Sequence, residues 1–456
     1  MKRRTFIENL MATVPALSVF PTLLMAFGEE ESLQSISWEG RVVVIGAGIA
    51  GLAAAQRLLS KGLQVQILEA SGQIGGRIRP LQGFADFDIE LGAEEIHGSR
   101  SEWYRLVKST NAKIFRDNNT DFYFYNNRLI EDRVANSTPD LKKAFDFERS
   151  AKKHRGADAT VLQQLQKSSV PPAAYSIVNA LLSNEYGTSN DRLSMRGITE
   201  EEERWSAGDD NYAISGRNYL SILQEKYADA ISKVTLNAPV QRIDYTGQRI
   251  ELQTPAQTVI ADRVIITIPL AVLQAGDVQF TPDLPSEKRS AIANIGMGAG
   301  MKIILKFREP FWGAGVGSIY GSGYVPEFWA TNEGRGATPV LTAFVMGANA
   351  EYLSAQGQQA IPIVMSELDA MYDNRAASTF VEGRIMDWGK EPYIKGAYSY
   401  PVVGGGITAR ATLAKALHER LFFAGEATHT QGHNSTVHGA LETGIRAADE
   451  VIKSIR

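Results

Sequence analysis

Residues 41–77, RVVVIGAGIAGLAAAQRLLSKGLQVQILEASGQIGGR, constrain the fold of this 456-residue chain more than any other stretch. The run Val42–Ile45 is apolar and β-branched, as a parallel strand buried on both faces requires. It breaks at Gly46-Ala47-Gly48-Ile49-Ala50-Gly51, spaced G-x-G-x-x-G. Helix formers follow to Leu59, Gly62 is the stop, and Gln64–Leu68 is a second strand ending at Glu69. Gly46 permits the tight turn, Gly48 lets a pyrophosphate approach the backbone, and Gly51 lets helix and strand pack closely. The helix start offers unpaired N–H groups and a partial positive charge to phosphate. Glu69, 18 residues past Gly51, is placed to accept from ribose hydroxyls. Ala50 and Ala70 are small neighbours in the same candidate site. Strand, glycine turn, helix and acid agree on a dinucleotide, but leave FAD and NAD both open.

Further stretches narrow the choice. Gly75-Gly76-Arg77 adds a second glycine turn and a cation just beyond the ribose acid. Near the other end, LFFAGEATHTQGHNSTVHGALETGIRAA (421–448) places Gly425-Glu426 after a short strand and a helix start after Thr436-Val437. Between them stand Leu91-Gly92-Ala93, Ile96-His97-Gly98 and DWGKEPYIKGAYSY (387–400). Together these resemble the flavin-dependent amine oxidase family, and within it the spermine and polyamine oxidases.

The resemblance implies FAD and a Rossmann-like α/β FAD-binding domain interleaved with a substrate domain of mixed sheet plus helical insertion. The expected segments are FAD-binding parts at 36–100, 228–290 and 405–456, a helical insertion at 101–227, and a substrate sheet at 291–404. No glycine fingerprint is repeated, so one dinucleotide is expected.

Site residues follow from the same resemblance. Gly76, Arg77, Gly92, Ala93, Val240, Trp388, Gly425, Glu426, Thr436 and Val437 are implied to line the flavin. Lys302, in a glycine-led strand, is implied to hold a water near flavin N5, and Tyr398 to form one wall of an aromatic cage for the amine. Thr436 stands where the monoamine oxidases carry the second cage aromatic, which implies a more open tunnel. Ala397 replaces their flavin-linked cysteine, so FAD is expected to be non-covalent. His97 is implied to contact a substrate nitrogen, and Glu94 and Glu95 to counter a remote positive charge on the substrate. The implied reaction is hydride transfer from the carbon beside an amine nitrogen, hydrolysis of the imine, and reduction of O2 to hydrogen peroxide. An L-amino-acid oxidase is the nearest alternative, but it needs a cation for the substrate carboxylate where this sequence has two glutamates. A desaturase-like oxidase would have little use for Lys302, and a flavin-holding scaffold without turnover would not need Lys302 or Tyr398.

Composition closes other options. A net charge of −4 argues against a nucleic-acid binder, and the absence of cysteine removes disulfides and thiolate metal sites. His429 and His433 have H-x-x-x-H spacing, but a loop sequence lies between them and no acid follows at ligand spacing, so no metal is expected. No Ser-His-Asp elbow is present. The acid run Glu200–Glu203 reads as a solvated face or as steering for a cationic substrate. Arg3-Arg4-Thr5-Phe6-Ile7, followed by an apolar stretch interrupted by Pro15 and Pro21, resembles a twin-arginine leader over 1–35. Export to the periplasm is the expectation and a cytoplasmic location the alternative.

Overall fold

A computed structural model of the chain describes residues 36–116, 119–321 and 323–456. The twin-arginine stretch lies outside the described residues.

Val42, Val43 and Val44 have no exposed surface. They belong to a five-stranded parallel sheet ordered Val234–Thr235, Gln64–Leu68, Arg41–Ile45, Arg263–Ile266, Leu421–Phe423. Alternate residues feed two cores, which is why the strand is apolar throughout. Val42, Val44, Ile67 and Ile265 pack under the helices Ile49–Leu59 and Val437–Ser454. Val43, Ile45, Leu68 and Ile266 face a smaller four-stranded sheet and the helix Ile407–Ala414. The two helices of the first core cross closely because Gly444 has no side chain: a Cβ there would lie 2.1 Å from the backbone oxygen of Ala50 in the other helix, and a Cβ on Gly51 would lie 2.0 Å from Gly46 O in the turn before that helix.

The substrate half is a seven-stranded sheet ordered Phe380–Asp387, Gly300–Phe307, Val340–Met346, Glu327–Ala330, Val316–Tyr320, Thr120–Tyr125, Arg128–Glu131. Met301, Ile303 and Leu305 of the second strand point into its core with the helix Ala360–Met371. Lys302, Ile304 and Lys306 therefore take the opposite face, as the alternation predicts.

The stretch 101–227 is not purely helical. It contains the helices Pro139–Ala151, Val161–Leu165 and Met195–Arg204, and also the strands Lys113–Arg116, Thr120–Tyr125, Arg128–Glu131 and Asn211–Ser215. Two of those strands complete the edge of the substrate sheet. Thr120–Tyr125 and Arg128–Glu131 pair with each other as a hairpin, and the aromatic alternation TDFYFY favours a strand, but the partner that joins them to the substrate sheet, Val316–Tyr320, is almost 200 residues away. Among the described residues no helix is long and apolar enough to cross a membrane.

Candidate active site

The glycine turn takes the backbone forms that its residues allow. Gly46 sits at φ +106°, in the region that favours glycine, and turns the chain from strand to helix. At Gly48 a Cβ would meet nothing within 4 Å, so the space beside it is open for a ligand. The helix beginning at Ile49 has no side-chain cap and no acid in its first turn, leaving its N–H groups to an incoming anion. Glu69 is buried; Oε2 accepts from the Ala47 N–H at 2.7 Å and Oε1 from Ser71 N and Oγ. That anchors the carboxylate at the end of its strand and leaves acceptor capacity for hydroxyls.

The two ends of the chain meet at Arg77. Its Nη1 donates to Ala397 O at 2.7 Å and to Glu426 Oε1 at 3.0 Å. Glu426 also accepts from Ser399 Oγ (2.6 Å) and Ser435 N (3.0 Å). Burial alone would raise its pKa, but Arg77 and Arg410 outweigh that and hold the carboxyl below its ordinary value. Arg410, fully buried, bonds Ser399 Oγ at 2.6 Å and Glu201 Oε1 at 3.3 Å. Glu201 is thus an internal counter-ion, and the acid run is neither a plain solvated face nor part of the cavity lining. Trp388 donates its indole N–H to Leu91 O and lies against Gly92, where a Cβ would come within 2.9 Å of the ring.

A cavity of about 910 Å³ runs between these elements and the substrate sheet. Its lining includes Gly46, Gly48, Ala50, Glu69, Ala70, Gly76, Arg77, Gly92, Ala93, Val240, Trp388, Gly425, Glu426, Thr436 and Val437. Lys302, Tyr398, His97, Glu94 and Glu95 line it too. Gly51 does not; it serves the helix–strand packing. Open space at Gly48 and Gly425, uncapped N–H groups and an anchored ribose acid fit a dinucleotide laid from the first helix to the last.

Lys302 is buried and forms a network that the sequence did not reveal. Its Nζ donates to Glu94 Oε2 at 2.6 Å and Glu90 O at 2.9 Å, and lies 4.9 Å over the Trp329 ring. Arg335 bonds the other oxygen of Glu94. Burial would raise the Glu94 pKa, but the two cations outweigh it and lower it. Both Glu94 oxygens are therefore engaged by the chain's own cations, which corrects the expectation of a substrate counter-charge at Glu94. Glu90 behaves oppositely. Burial pushes it up to about 7, Oε1 accepts from Tyr219 N, and Oε2 has no partner.

At the Tyr398 end the walls are aromatic and acidic. Trp329 and Phe344, tilted 47° with centroids 5.2 Å apart, line the cavity together with Tyr398. The phenol donates to Glu185 O at 3.0 Å, and its pKa is raised by burial and then by Glu185, Glu327 and Glu95. His97 Nδ1 pairs with Asn211 Oδ1 at 3.1 Å, which sets the ring between strand and cavity. The aromatic departure at Thr436 is real: its hydroxyl caps the last helix by accepting from Gly439 N. Trp329, Glu327 and Phe344 lie on strands and Glu185 and Arg335 in turns; all were missed because isolated aromatic and charged residues carry no motif.

The histidines differ from the sequence reading in one respect. Glu442, from the last helix, does reach them: Oε2 lies 2.8 Å from His429 Nε2 and 2.9 Å from His433 Nδ1. The acid that seemed to be lacking is supplied by helix packing rather than by spacing. His429 Nδ1, however, accepts from the N–H groups of Gln431 and His433, so its proton is on Nε2 and points at the carboxylate. A metal at that nitrogen would require an imidazolate, so the set is a hydrogen-bonded one.

The architecture is shared with known proteins. A family model described as flavin containing amine oxidoreductase matches residues 49–452. Polyamine oxidase 4 of Oryza sativa subsp. japonica is 28% identical over 91% of this chain and 89% of its own length. Lysine-specific histone demethylase 2 of Homo sapiens is 26% identical over 98% of this chain, which spans 57% of that protein. Lysine-specific histone demethylase 1 homolog 2 of Arabidopsis thaliana is 28% identical, and the chain spans 58% of it. Among solved structures, cyclohexylamine oxidase from Brevibacterium oxydans IH-35A superposes with a TM-score of 0.77 at 20% identity, covering 91% of this chain and 99% of that one. Wild-type putrescine oxidase bound to putrescine gives 0.73 at 19%, with the same coverage.

Proposed function

Because this chain belongs to the family of flavin containing amine oxidoreductases, we propose that it oxidises polyamines of the spermine and spermidine class in the cavity described above. FAD, the cofactor of these enzymes, supplies when bound the acceptor for a hydride from the carbon beside the substrate nitrogen, and passes the electron pair to oxygen.

The observation that carries the reading is the charge of the lining. Eight carboxylates (Glu69, Glu94, Glu95, Glu185, Asp277, Glu327, Glu391, Glu426) face three cations, Arg77, Arg79 and Lys302. Each of those cations already holds a carboxylate of the chain: Glu426, Glu391 and Glu94 respectively. A substrate carboxylate would find no unclaimed cation, which counts against an L-amino-acid oxidase. A chain of ammonium groups meets Glu95, Glu185 and Glu327 beside aromatic faces. Tyr398, Trp329 and Phe344 orient the reacting nitrogen and exclude water. His97, in the cavity lining, is placed to contact the substrate nitrogen. Lys302 spends two N–H groups on Glu94 and Glu90, and the third is left for a water in the cavity.

Peroxide release over spermine, spermidine, putrescine, aromatic monoamines, L-amino acids and an N-methyl-lysine peptide tests this. The methyl-lysine arm is prompted by the demethylases among the relatives. The highest kcat/KM is expected for spermine or spermidine; a preference for any amino acid or aromatic monoamine overturns the assignment. Ala397 and the lack of cysteine imply that acid releases the flavin intact. The twin-arginine leader belongs to the same proposal: replacing Arg3 and Arg4 by Lys should leave the protein in the cytoplasm of a bacterial host, and unchanged periplasmic yield would refute it.

A further inference from the structure

A second chemically organised cluster lies outside the cavity. Ser206 stands on the exposed connector after the helix Met195–Arg204, and its Oγ lies 3.1 Å from His433 Nε2. His433 Nδ1 lies 2.9 Å from Glu442 Oε2. None of the three lines the cavity, and the oxidase reading gives them no role.

The protons in this chain of contacts can be assigned. Hydrogen bonds from His429 and His433 outweigh the effect of burial and bring the Glu442 pKa down to about 2, so the carboxylate is charged at neutral pH. A carboxylate can only accept, so His433 carries its proton on Nδ1 and donates it to Glu442. In the neutral imidazole Nε2 is then the lone pair, and Ser206 is the donor to it. This is the order of a hydroxyl, a neutral base and an orienting acid that activates serine in unrelated folds. The imidazole is fixed in place as well as in tautomer: His433 is 8% exposed, stacks on His429 at 5.0 Å and meets the edge of Trp205 at 5.2 Å. The Glu442 carboxylate at one end is half-buried, and the serine at the other is exposed to solvent. Beside it, Arg100 Nε donates to Ser206 O at 2.8 Å, the one side-chain bond that the guanidinium makes among the described residues. Its terminal nitrogens are available to an oxyanion formed next to Ser206.

We propose that Ser206 is a base-activated nucleophile, served by His433 and oriented by Glu442, that takes acyl groups from short-chain carboxylic esters at a site separate from the oxidase cavity. A short acyl chain is implied because the hydroxyl stands on an exposed connector, outside the cavity described above. In the step, the Ser206 O–H bond breaks, its proton goes to His433 Nε2, and Oγ bonds the ester carbonyl carbon. The ester C–O bond then breaks, and the leaving alkoxide takes the proton from His433. Water attacks the acyl-serine by the same route, giving a carboxylic acid and restoring Ser206, with no change of oxidation state. His433 touches the reacting proton; Glu442 and His429 are positioning residues.

The test uses the full-length, FAD-loaded protein, a fluorophosphonate probe with peptide mapping of the adduct, and p-nitrophenyl acetate hydrolysis. The adduct is expected on Ser206. It should vanish with Ser206→Ala, and its rate should fall on the order of 10²-fold with His433→Gln. Glu442→Gln should slow labelling while FAD content and amine turnover hold, a separation that a purely structural role would not produce. Ser206→Ala removes one exposed hydroxyl and keeps the fold, so it remains informative if the His433 variant is unstable. Absence of labelling at Ser206 under conditions that saturate a serine esterase overturns the proposal. So does labelling at an unchanged rate in folded His433→Gln, or zinc retained stoichiometrically by the native cluster.

Discussion

The lysine network shows how one buried charge fixes the identity of its neighbours. Lys302 and Arg335 are both cations held against Glu94. Removing that carboxylate leaves two like charges facing each other out of water. Glu94→Gln should therefore lose about 3–5 kcal/mol in urea unfolding, the usual result of breaking a buried pair. Lys302→Met should be far milder in stability, since Glu94 keeps Arg335, yet should slow flavin reduction or reoxidation severely with FAD still bound. Stopped-flow spectra read this, and near-normal turnover would remove Lys302 from the mechanism. Glu90 gives a pH signature of opposite sign to most carboxylates. Its folded pKa is about 7 against 4.5 unfolded, so its contribution is full below pH 4.5 and is lost as pH rises through about 7. Glu90→Gln should match the native protein at pH 5 and exceed it at pH 8 by about 2–3 kcal/mol at most, measured as ΔG of unfolding. Taken alone, a lysine in a glycine-led strand reads as a solvated edge charge; Lys302 was singled out through the family resemblance. Its partners were not: Arg335 is 241 residues from Glu94, and no local pattern joins them.

Elements position what single residues cannot. Tyr398 rests on Gly187, where a Cβ would lie 2.5 Å from the ring and where φ is +80°. Gly187→Ala should cost about 1–2 kcal/mol from backbone strain and should also displace the ring. Steady-state kinetics should show KM for the amine rising more than kcat falls, with FAD content unchanged. At this scale the sequence was most readable in the first strand–helix–strand unit and the last helix, where glycines enforce backbone form and periodicity marks the buried face. It was least readable in 101–227. There, the hairpin of Thr120–Tyr125 and Arg128–Glu131 is local, but the sheet it joins lies almost 200 residues away at Val316–Tyr320, and no local pattern announces that pairing. The helix Met195–Arg204 misled for another reason: Glu201 lies within an acidic run but faces Arg410, and a run of like charge hides which member turns inward.

Across the whole molecule, acid should unfold the protein earlier than its many surface ion pairs would indicate. Glu442 is held at about 2 against 4.5 unfolded, so its stabilisation is present above pH 4.5 and is lost as pH falls toward 2. His429 is kept neutral by burial, with a folded pKa below its ordinary 6.5, so the unfolded chain binds its proton first and stability begins to fall as pH drops through 6.5. Thermal melts between pH 7 and 3 should show a steady decline beginning near 6.5. Replacing His429 with Gln, which keeps a donor without a charge, should flatten the upper part of that decline.

The parallel sheet sets a timetable for biosynthesis. Its strands come from residues 41–45, 64–68, 234–235, 263–266 and 421–423, and the helix that closes the nucleotide cleft follows only at 437. When the glycine turn leaves the ribosome, both edges of its sheet, the strand Arg263–Ile266 and its closing helix are still untranslated. The prosthetic group can be captured only after the chain has been made as far as this last helix. A secretion pathway that threads nascent, unfolded polypeptide would deliver this chain empty, whereas one that carries finished cargo would deliver it loaded.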